Sequence, residues 1–319
     1  MSEKVSPNIS DSNMTFVENN APLPVRHSGV LFNSREFVQI DGKRQILNLG
    51  YESEGVSALN ITFDIKDNQA ISLTGCPYSG VVFLAAVTPS DFNGFLRNVC
   101  QHLKARGIEE ILIKQSPIFV WDRWYPEADE TFLEAGFERV QVEINHHIPL
   151  GQPDYMSSIH LMQRRKIKKC MEHQLIFKEE KHHILAQAHQ FIEHCRNQQG
   201  LPINISLRQL LKTVETLPEY YRIFTIRNQK NSIVAATITV KISDSIVYNY
   251  LPAFDRKYKT YSPLALLTFQ LHERLGQEGF KYLDLGISSI EGKPQKNLIT
   301  FKQRMGAIVS GRVVYHRKL

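Results

Sequence analysis

Asp284 is a carboxylate set in an otherwise apolar, strand-like run, Tyr282-Leu283-Asp284-Leu285. A carboxylate held there can take a proton from an attacking nucleophile; its plainer use is a capped or salt-bridged structural Asp. Tyr248 and Tyr250 alternate onto one face of the run Ile246 to Leu251, because side chains two apart share a strand face. A phenol in that place can return a proton to a leaving group, or simply pack in a core. Before Pro263, the loop Arg256-Lys257-Tyr258-Lys259-Thr260-Tyr261-Ser262 gathers three cations. Ser followed by Pro is a physically sensible helix start. A loop feeding a helix N-terminus presents unpaired N–H groups and the positive end of the helix dipole, which suits a pyrophosphate. An ordinary capped helix is the competing reading.

Further upstream, Arg164, Arg165, Lys166, Lys168 and Lys169 place five positive charges within six residues. They carry most of the net charge of +6, so the basic balance is largely one local patch. Such a patch can meet the phosphates of a nucleic acid or a small molecule. Alternatively it is a solvated helix face, with Ile159, Met162, Ile167, Cys170 and Met171 as an imperfect apolar side. No aromatic residues interleave with the charges for base stacking.

Other constellations are weaker. His146-His147, His182-His183, His189 and His194-Cys195 lack HExxH spacing, and no metal is expected. Neither a G-x-S-x-G elbow nor a G-x-x-x-x-G-K-[ST] loop occurs, which disfavours hydrolases and NTPases of those kinds. The four cysteines form no CxxC pair and read as buried reduced thiols. Trp121 and Trp124 flank Asp122-Arg123, as a substrate wall or as packing.

The elements that must position these residues show a repeat. Thr88-Pro89 opens a helical run, Gly107 ends it, and a strand Ile111 to Lys114 follows; Ser262-Pro263, Gly279 and Tyr282 to Leu285 repeat that order. A further helix stops at Gly136 in one half and Gly306 in the other, each before a β-like tail. Two copies of one α/β unit suit 319 residues, more than one hydrophobic core usually serves. The expected division is a flexible arm over 1–27, rich in Ser, Asn and Glu, a first domain over 28–150 and a second over 151–319. Pro149 to Asp154 reads as the linker between the domains. The second domain reads as a basic helix over 155–173, a strand, helices at 184–199 and 206–216, then an antiparallel meander at 221–227, 233–241 and 246–251. No apolar run approaches the roughly 20 residues that span a bilayer, and no signal segment is visible; a cytoplasmic location is expected.

This order resembles the Gcn5-related N-acetyltransferase (GNAT) fold, and within it the FemAB-like acyltransferase group. The resemblance rests on Ser262-Pro263, on Gly279-Phe280-Lys281-Tyr282-Leu283-Asp284-Leu285-Gly286, on Phe301-Lys302-Gln303-Arg304-Met305-Gly306, and on the basic stretch 164–169. It implies an α/β (α+β) chain of two tandem domains, each a mixed, mostly antiparallel sheet flanked by helices. It implies acyl transfer from acyl-CoA, or from aminoacyl-tRNA met through the basic helix, to a small-molecule or peptide-like amine, without a metal. Asp284, Tyr250 and Lys302 are then the catalytic candidates, Lys302 contacting an anionic substrate or a tetrahedral oxyanion. Arg256, Lys257, Lys259, Tyr261, Ser262 and Tyr248 are the carrier-binding candidates. Transfer is expected to be direct, because no Cys or Ser stands in a Cys–His or Ser–His context in the sequence. One departure is the missing Q/R-x-x-G-x-G/A loop: no glycine lies between Leu251 and Gly276. That leaves open a non-catalytic binding module of the same fold, or an RNA-associated protein using 164–169.

Overall fold

Turn residues and alternation shape the first unit. The computed structural model describes residues 14–40, 42, 45–121, 126–201, 203–290 and 292–319. Trp124, Asp122 and Arg123 lie outside the described residues, as does the arm before residue 14. The unit carries β1 (Thr15–Asn19), α1 (Arg35–Gln39), β2 (Ile46–Ser53), β3 (Val56–Lys66), β4 (Gln69–Ser72), β5 (Val82–Phe83), α2 (Pro89–Ala105), β6 (Glu110–Lys114), α3 (Glu127–Glu134) and the start of β7 (Glu138–Pro149). Glu54 and Gly55, both at positive φ, turn β2 into β3, the geometry a two-residue hairpin needs. Residues 15–19 fall inside the expected arm, yet they pair with β2 as an edge strand. The cause is Phe16, whose ring packs 6.3 Å from that of Phe95. Helix α2 buries Phe92, Phe95, Leu96, Val99 and Leu103, an i, i+3, i+4, i+7 stripe.

The second unit continues with α4 (Tyr155–Ser158), α5 (Leu161–Glu172), β8 (Ile176–Glu180), α6 (Leu185–Asn197), α7 (Leu207–Thr216), β9 (Tyr221–Arg227), β10 (Ile233–Lys241), β11 (Ile246–Asn249), β12 (Ala253–Phe254), α8 (Pro263–Gln277), β13 (Tyr282–Ile287), β14 (Ser289–Ile290), β15 (Lys293–Pro294) and α9 (Lys296–Arg304). Its sheet runs β8-β9-β10-β11-β13-β7. All its neighbours are antiparallel except β11 and β13, which run parallel. Leu267, Leu271 and Leu275 of α8 join Phe224, Ile226, Val247 and Leu283 in its core.

The last strand, β16 (Ile308–Lys318), returns to the first unit. Compact packing groups residues up to Ile144 with Ser310–Leu319, and Asn145–Val309 separately. Val314 to Lys318 pair antiparallel with Lys114 to Glu110 of β6, and the Tyr315 ring stacks 4.0 Å from that of Phe132. The segment Pro149 to Asp154, expected as a linker, lies inside the second unit, because β7 continues past Ile144 and pairs with β13 up to Pro149. Each unit is a mixed, mostly antiparallel sheet flanked by helices, with one parallel pair among the described residues, β4–β6 or β11–β13. Deleting Ser310–Leu319 removes Tyr315, whose burial alone is worth about 3–5 kcal/mol. The expected result is rapid tryptic cleavage within 14–144 while 145–309 stays protected. Equal protection of both units would refute this packing.

Candidate functional site

The parallel pair β11–β13 parts where the chemistry-bearing residues gather. The two strands pair at Ile246↔Tyr282, Val247↔Leu283 and Tyr248↔Asp284. On its other side β13 shifts register against β7 between Asp284 and Gly286, a bulge of the kind that re-aims side chains. Asp284, buried, holds this bulge: Oδ1 accepts from Gly286 N at 2.9 Å and from Asn145 Nδ2 at 2.8 Å. Gly286 sits at φ +74°, and an added Cβ would stand 3.0 Å from Tyr248 Cε2 and 3.2 Å from its Oη. Glycine is needed here on both counts.

Lys302 comes to the same place from α9. Its Nζ donates to Gly286 O at 2.7 Å and Ile287 O at 3.0 Å. Burial pushes its pKa from 10.5 down to about 7, with the Asp284 charge pulling the other way. Beside it His146 Nδ1 meets Ser288 Oγ at 2.9 Å, and His146 Nε2 has no hydrogen-bond partner among the described residues. Burial first, then the charges of Lys302 and His147, pushes the His146 pKa down to about 4, so its ring is neutral at pH 7. The sequence holds no Ser–His context, yet the fold joins these two residues from far apart in the chain. Both are fully buried, and among the described residues no carboxylate is hydrogen-bonded to the imidazole.

The loop before α8 is occupied in part by its own contacts. Residues Arg256–Tyr258 make a 3₁₀ turn, with Asp255 Oδ1 accepting from Lys257 N at 3.0 Å. Arg256 Nη1 donates to Gln198 O at 3.4 Å, and Tyr258 Oη accepts from Asn228 Nδ2 at 2.9 Å. Tyr261 faces the basic helix: Lys169 Nζ lies 4.8 Å above its ring, and its carbonyl accepts from Cys170 Sγ at 3.2 Å. Lys257 and Lys259 are exposed. Ser262 takes a left-handed conformation, φ 55° and ψ 61°, and its side chain does not cap α8. The matching helix of the first unit is closed: Thr88 Oγ1 accepts from Asp91 N, and Asp91 Oδ2 from Thr88 N, both at 3.1 Å. Of these two matched helices, the second therefore starts without a side-chain cap.

The basic helix departs from its expected form. It breaks at Ile159-His160, where His160 Nδ1 accepts from Met162 N at 3.2 Å, and α5 starts afresh. Its buried stripe is Gln163, Ile167 and Cys170, spaced i, i+4, i+7. Met162 and Met171, expected on the apolar side, are exposed with Arg165, Lys168 and Lys169.

The structure thus gathers Asp284, Lys302 and Tyr248 around Gly286, with the Tyr250 ring 5.7 Å from that of Tyr248. It directs Arg256 to α6 and Tyr261 to α5. Sequence reasoning missed Asn145 and Ser288, and weighed His146 only as a metal ligand. Among the described residues no group of three or more His, Cys, Asp or Glu is gathered as for a metal ion.

Residues 162–293 match the acetyltransferase (GNAT) domain family. Among solved structures, FemX is similar over 91% of this chain and 92% of its own, with TM-score 0.70 and 11% identity. The L-PGS of Bacillus licheniformis is similar over 82% of each chain, with TM-score 0.57 and 11% identity. A tandem GNAT protein from the clavulanic acid biosynthesis pathway covers 96% of this chain and 98% of its own, with TM-score 0.50 and 7% identity. No curated protein matches the sequence. Residues 162–293 thus carry the signature of a GNAT acetyltransferase domain, and the chain as a whole shares the fold of FemX and of a tandem GNAT protein.

Proposed function

We propose that the second unit transfers an acyl group from an activated carrier, acyl-CoA or aminoacyl-tRNA, directly to the amine of a small or peptide-like substrate. The observation that carries this reading is the buried Lys302 held at the bulge where β11 and β13 part. With a pKa near 7, its ammonium is available at neutral pH to stabilise the oxyanion that forms when an amine attacks a thioester or ester. Asp284 fixes the bulge and lowers the cost of the Lys302 charge, so its part is positioning as well as proton acceptance. Tyr250 or Tyr248 returns a proton to the leaving group. A thiol route is unfavourable, since burial pushes Cys170 and Cys195 up to about 11.

The uncapped start of α8 fits the carrier's phosphates, with Lys257, Lys259, Ser262 and the nearby Lys169–Tyr261 pair around it. Missing loop glycines limit close backbone approach, which favours a carrier held by side-chain charge. The basic face of α5 next to Tyr261 makes aminoacyl-tRNA the stronger candidate of the two. We place the reaction in the cytoplasm, where both carriers occur; no helix among the described residues is long and apolar enough to cross a membrane.

Thermal shift and calorimetry with acetyl-CoA, longer acyl-CoAs and charged tRNA test the reading. Lys257→Ala with Lys259→Ala is expected to weaken carrier binding roughly tenfold, one to two charge-assisted contacts' worth. Unchanged binding in the double variant would remove the loop site; no binding by wild type would remove the activity.

A further inference from the structure

Two consecutive residues of β7 hold the two ends of the bulge around Gly286. Asn145 Nδ2 donates to Asp284 Oδ1 at 2.8 Å, and His146 Nδ1 lies 2.9 Å from Ser288 Oγ. All four of these residues are buried. Between them stand Gly286 and Ile287, whose carbonyls accept from Lys302 Nζ at 2.7 and 3.0 Å. The proposed reaction uses Asp284 and Lys302 but gives no part to His146 or Ser288.

Ser288 is the node of this arrangement. Its side chain meets β7, and its carbonyl accepts from Gln295 N at 2.8 Å. Gln295 is the N-cap of α9, and α9 brings Lys302 back to Gly286. A ring therefore closes from β7 through Ser288 to α9, and back through Lys302. Within it Lys302 spends two of its three N–H donors on carbonyls, and the third has no partner among the described residues. Fixed carbonyls aim that third donor at one point, whereas carbonyls free to rock would spread it.

The ring of His146 suits a fixed part. Ser288 Oγ has no other partner among the described residues, so its proton goes to Nδ1 and the imidazole carries its own on Nε2. Nε2 is buried without a partner. An apolar ring would fill the same space without that unmet donor, so what histidine adds here is Nδ1. Neutral at pH 7, it brings no second positive charge to Lys302.

We infer that His146 is a positioning residue for acyl transfer: acting through Ser288, it locks the carbonyls of Gly286 and Ile287 and so aims the Lys302 ammonium at the oxyanion. This rests on the acyl-transfer reading above, and deepens it by naming what holds the cationic group in place.

The test is an NMR titration of the full chain with carbon-13 at lysine Cε, without any carrier, Lys302 being assigned by its loss in Lys302→Met. In wild type Lys302 should titrate at about 7. Ser288→Ala removes a single oxygen and should lower that midpoint by about one pH unit, as one carbonyl contact to the cation is lost in a dry site. His146→Phe should do the same. The double variant should fall no further than either single one, because the two side chains form one contact. Thr268→Val removes another buried hydroxyl bond of the same unit, from Thr268 Oγ1 to Leu264 O at 2.8 Å, and should leave the midpoint in place. It separates a loosened fold from a lost clamp. A wild-type midpoint at the ordinary 10.5, an unmoved or raised midpoint in Ser288→Ala or His146→Phe, an additive double variant, or an equal fall in Thr268→Val overturns the inference. Calorimetry of the wild type with acetyl-CoA and with charged tRNA keeps the two ideas apart. Carrier binding with an unmoved midpoint sinks the clamp and spares acyl transfer. A lowered midpoint in a protein that binds neither carrier leaves the clamp and removes the reaction it would serve.

Discussion

Lys302→Met is expected to lower kcat for acyl transfer by roughly 10²–10³-fold, the loss seen when one oxyanion donor is removed. In wild type the rate should fall as pH rises through about 7, as the ammonium that stabilises the oxyanion loses its proton. The stability effect has the opposite sign. Because the folded pKa lies below the ordinary 10.5, the unfolded chain holds a proton that the native one lacks between about 7 and 10.5. The Lys302 contribution therefore raises stability with pH across that window, and the full cost of the buried charge is present below it. Melting curves from pH 6 to pH 10 should show this rise in wild type and lose it in Lys302→Met. The variant leaves the carbonyls of Gly286 and Ile287 without this donor, about 1–3 kcal/mol each if they stay dry, which partly offsets the relief of removing a buried cation. A variant that keeps the wild-type pH–rate profile would show that Lys302 is not at the reacting oxygen.

Gly286→Ala is the second large effect. A Cβ there forces a left-handed non-glycine conformation and meets the Tyr248 ring at 3.0 Å. The strain alone costs about 1–2 kcal/mol, and the contact adds to it, for a drop in Tm of roughly 5–10 °C. Gly279→Ala is the matched control, since Gly279 also has positive φ, at 89°, but an added Cβ meets nothing within 4 Å. The difference between the two isolates the push on Tyr248. Gly286→Ala should also lose at least tenfold in kcat/KM, because moving this peptide moves the carbonyl that holds Lys302. If both alanines cost the same stability, the tight Tyr248–Gly286 contact is not real.

Much of the architecture was legible because its signals are local. Pro89 and Pro263 at helix starts, and Gly107, Gly136, Gly279 and Gly306 at positive φ behind helix ends, each act through their own backbone. The meander 221–227, 233–241 was readable from β-branched runs and turn residues in the same way. The site was legible only in outline. Asp284 stood out as a carboxylate in an apolar strand, Tyr248 by its strand face and Lys302 through the family resemblance, but their grouping depends on Gly286 and a bulge that no local pattern announces. Asn145 with Asp284, and His146 with Ser288, are joined by strand neighbours chosen through topology, across most of the second unit's sequence.

The return of β16 to the first unit has a consequence for how the chain is made. The first unit emerges from the ribosome early, yet the strand that covers β6 and brings Tyr315 follows only after the whole of the second unit. At ordinary rates of synthesis that delay is on the order of 10 s, far longer than a helix or hairpin needs to form. Throughout it, the edge of β6, with Ile111 and Ile113, awaits its partner. An unpaired edge is a template for foreign strands. The nascent chain therefore has a window in which a chaperone, or a second nascent copy, competes for a place that the protein's own last strand is still to fill.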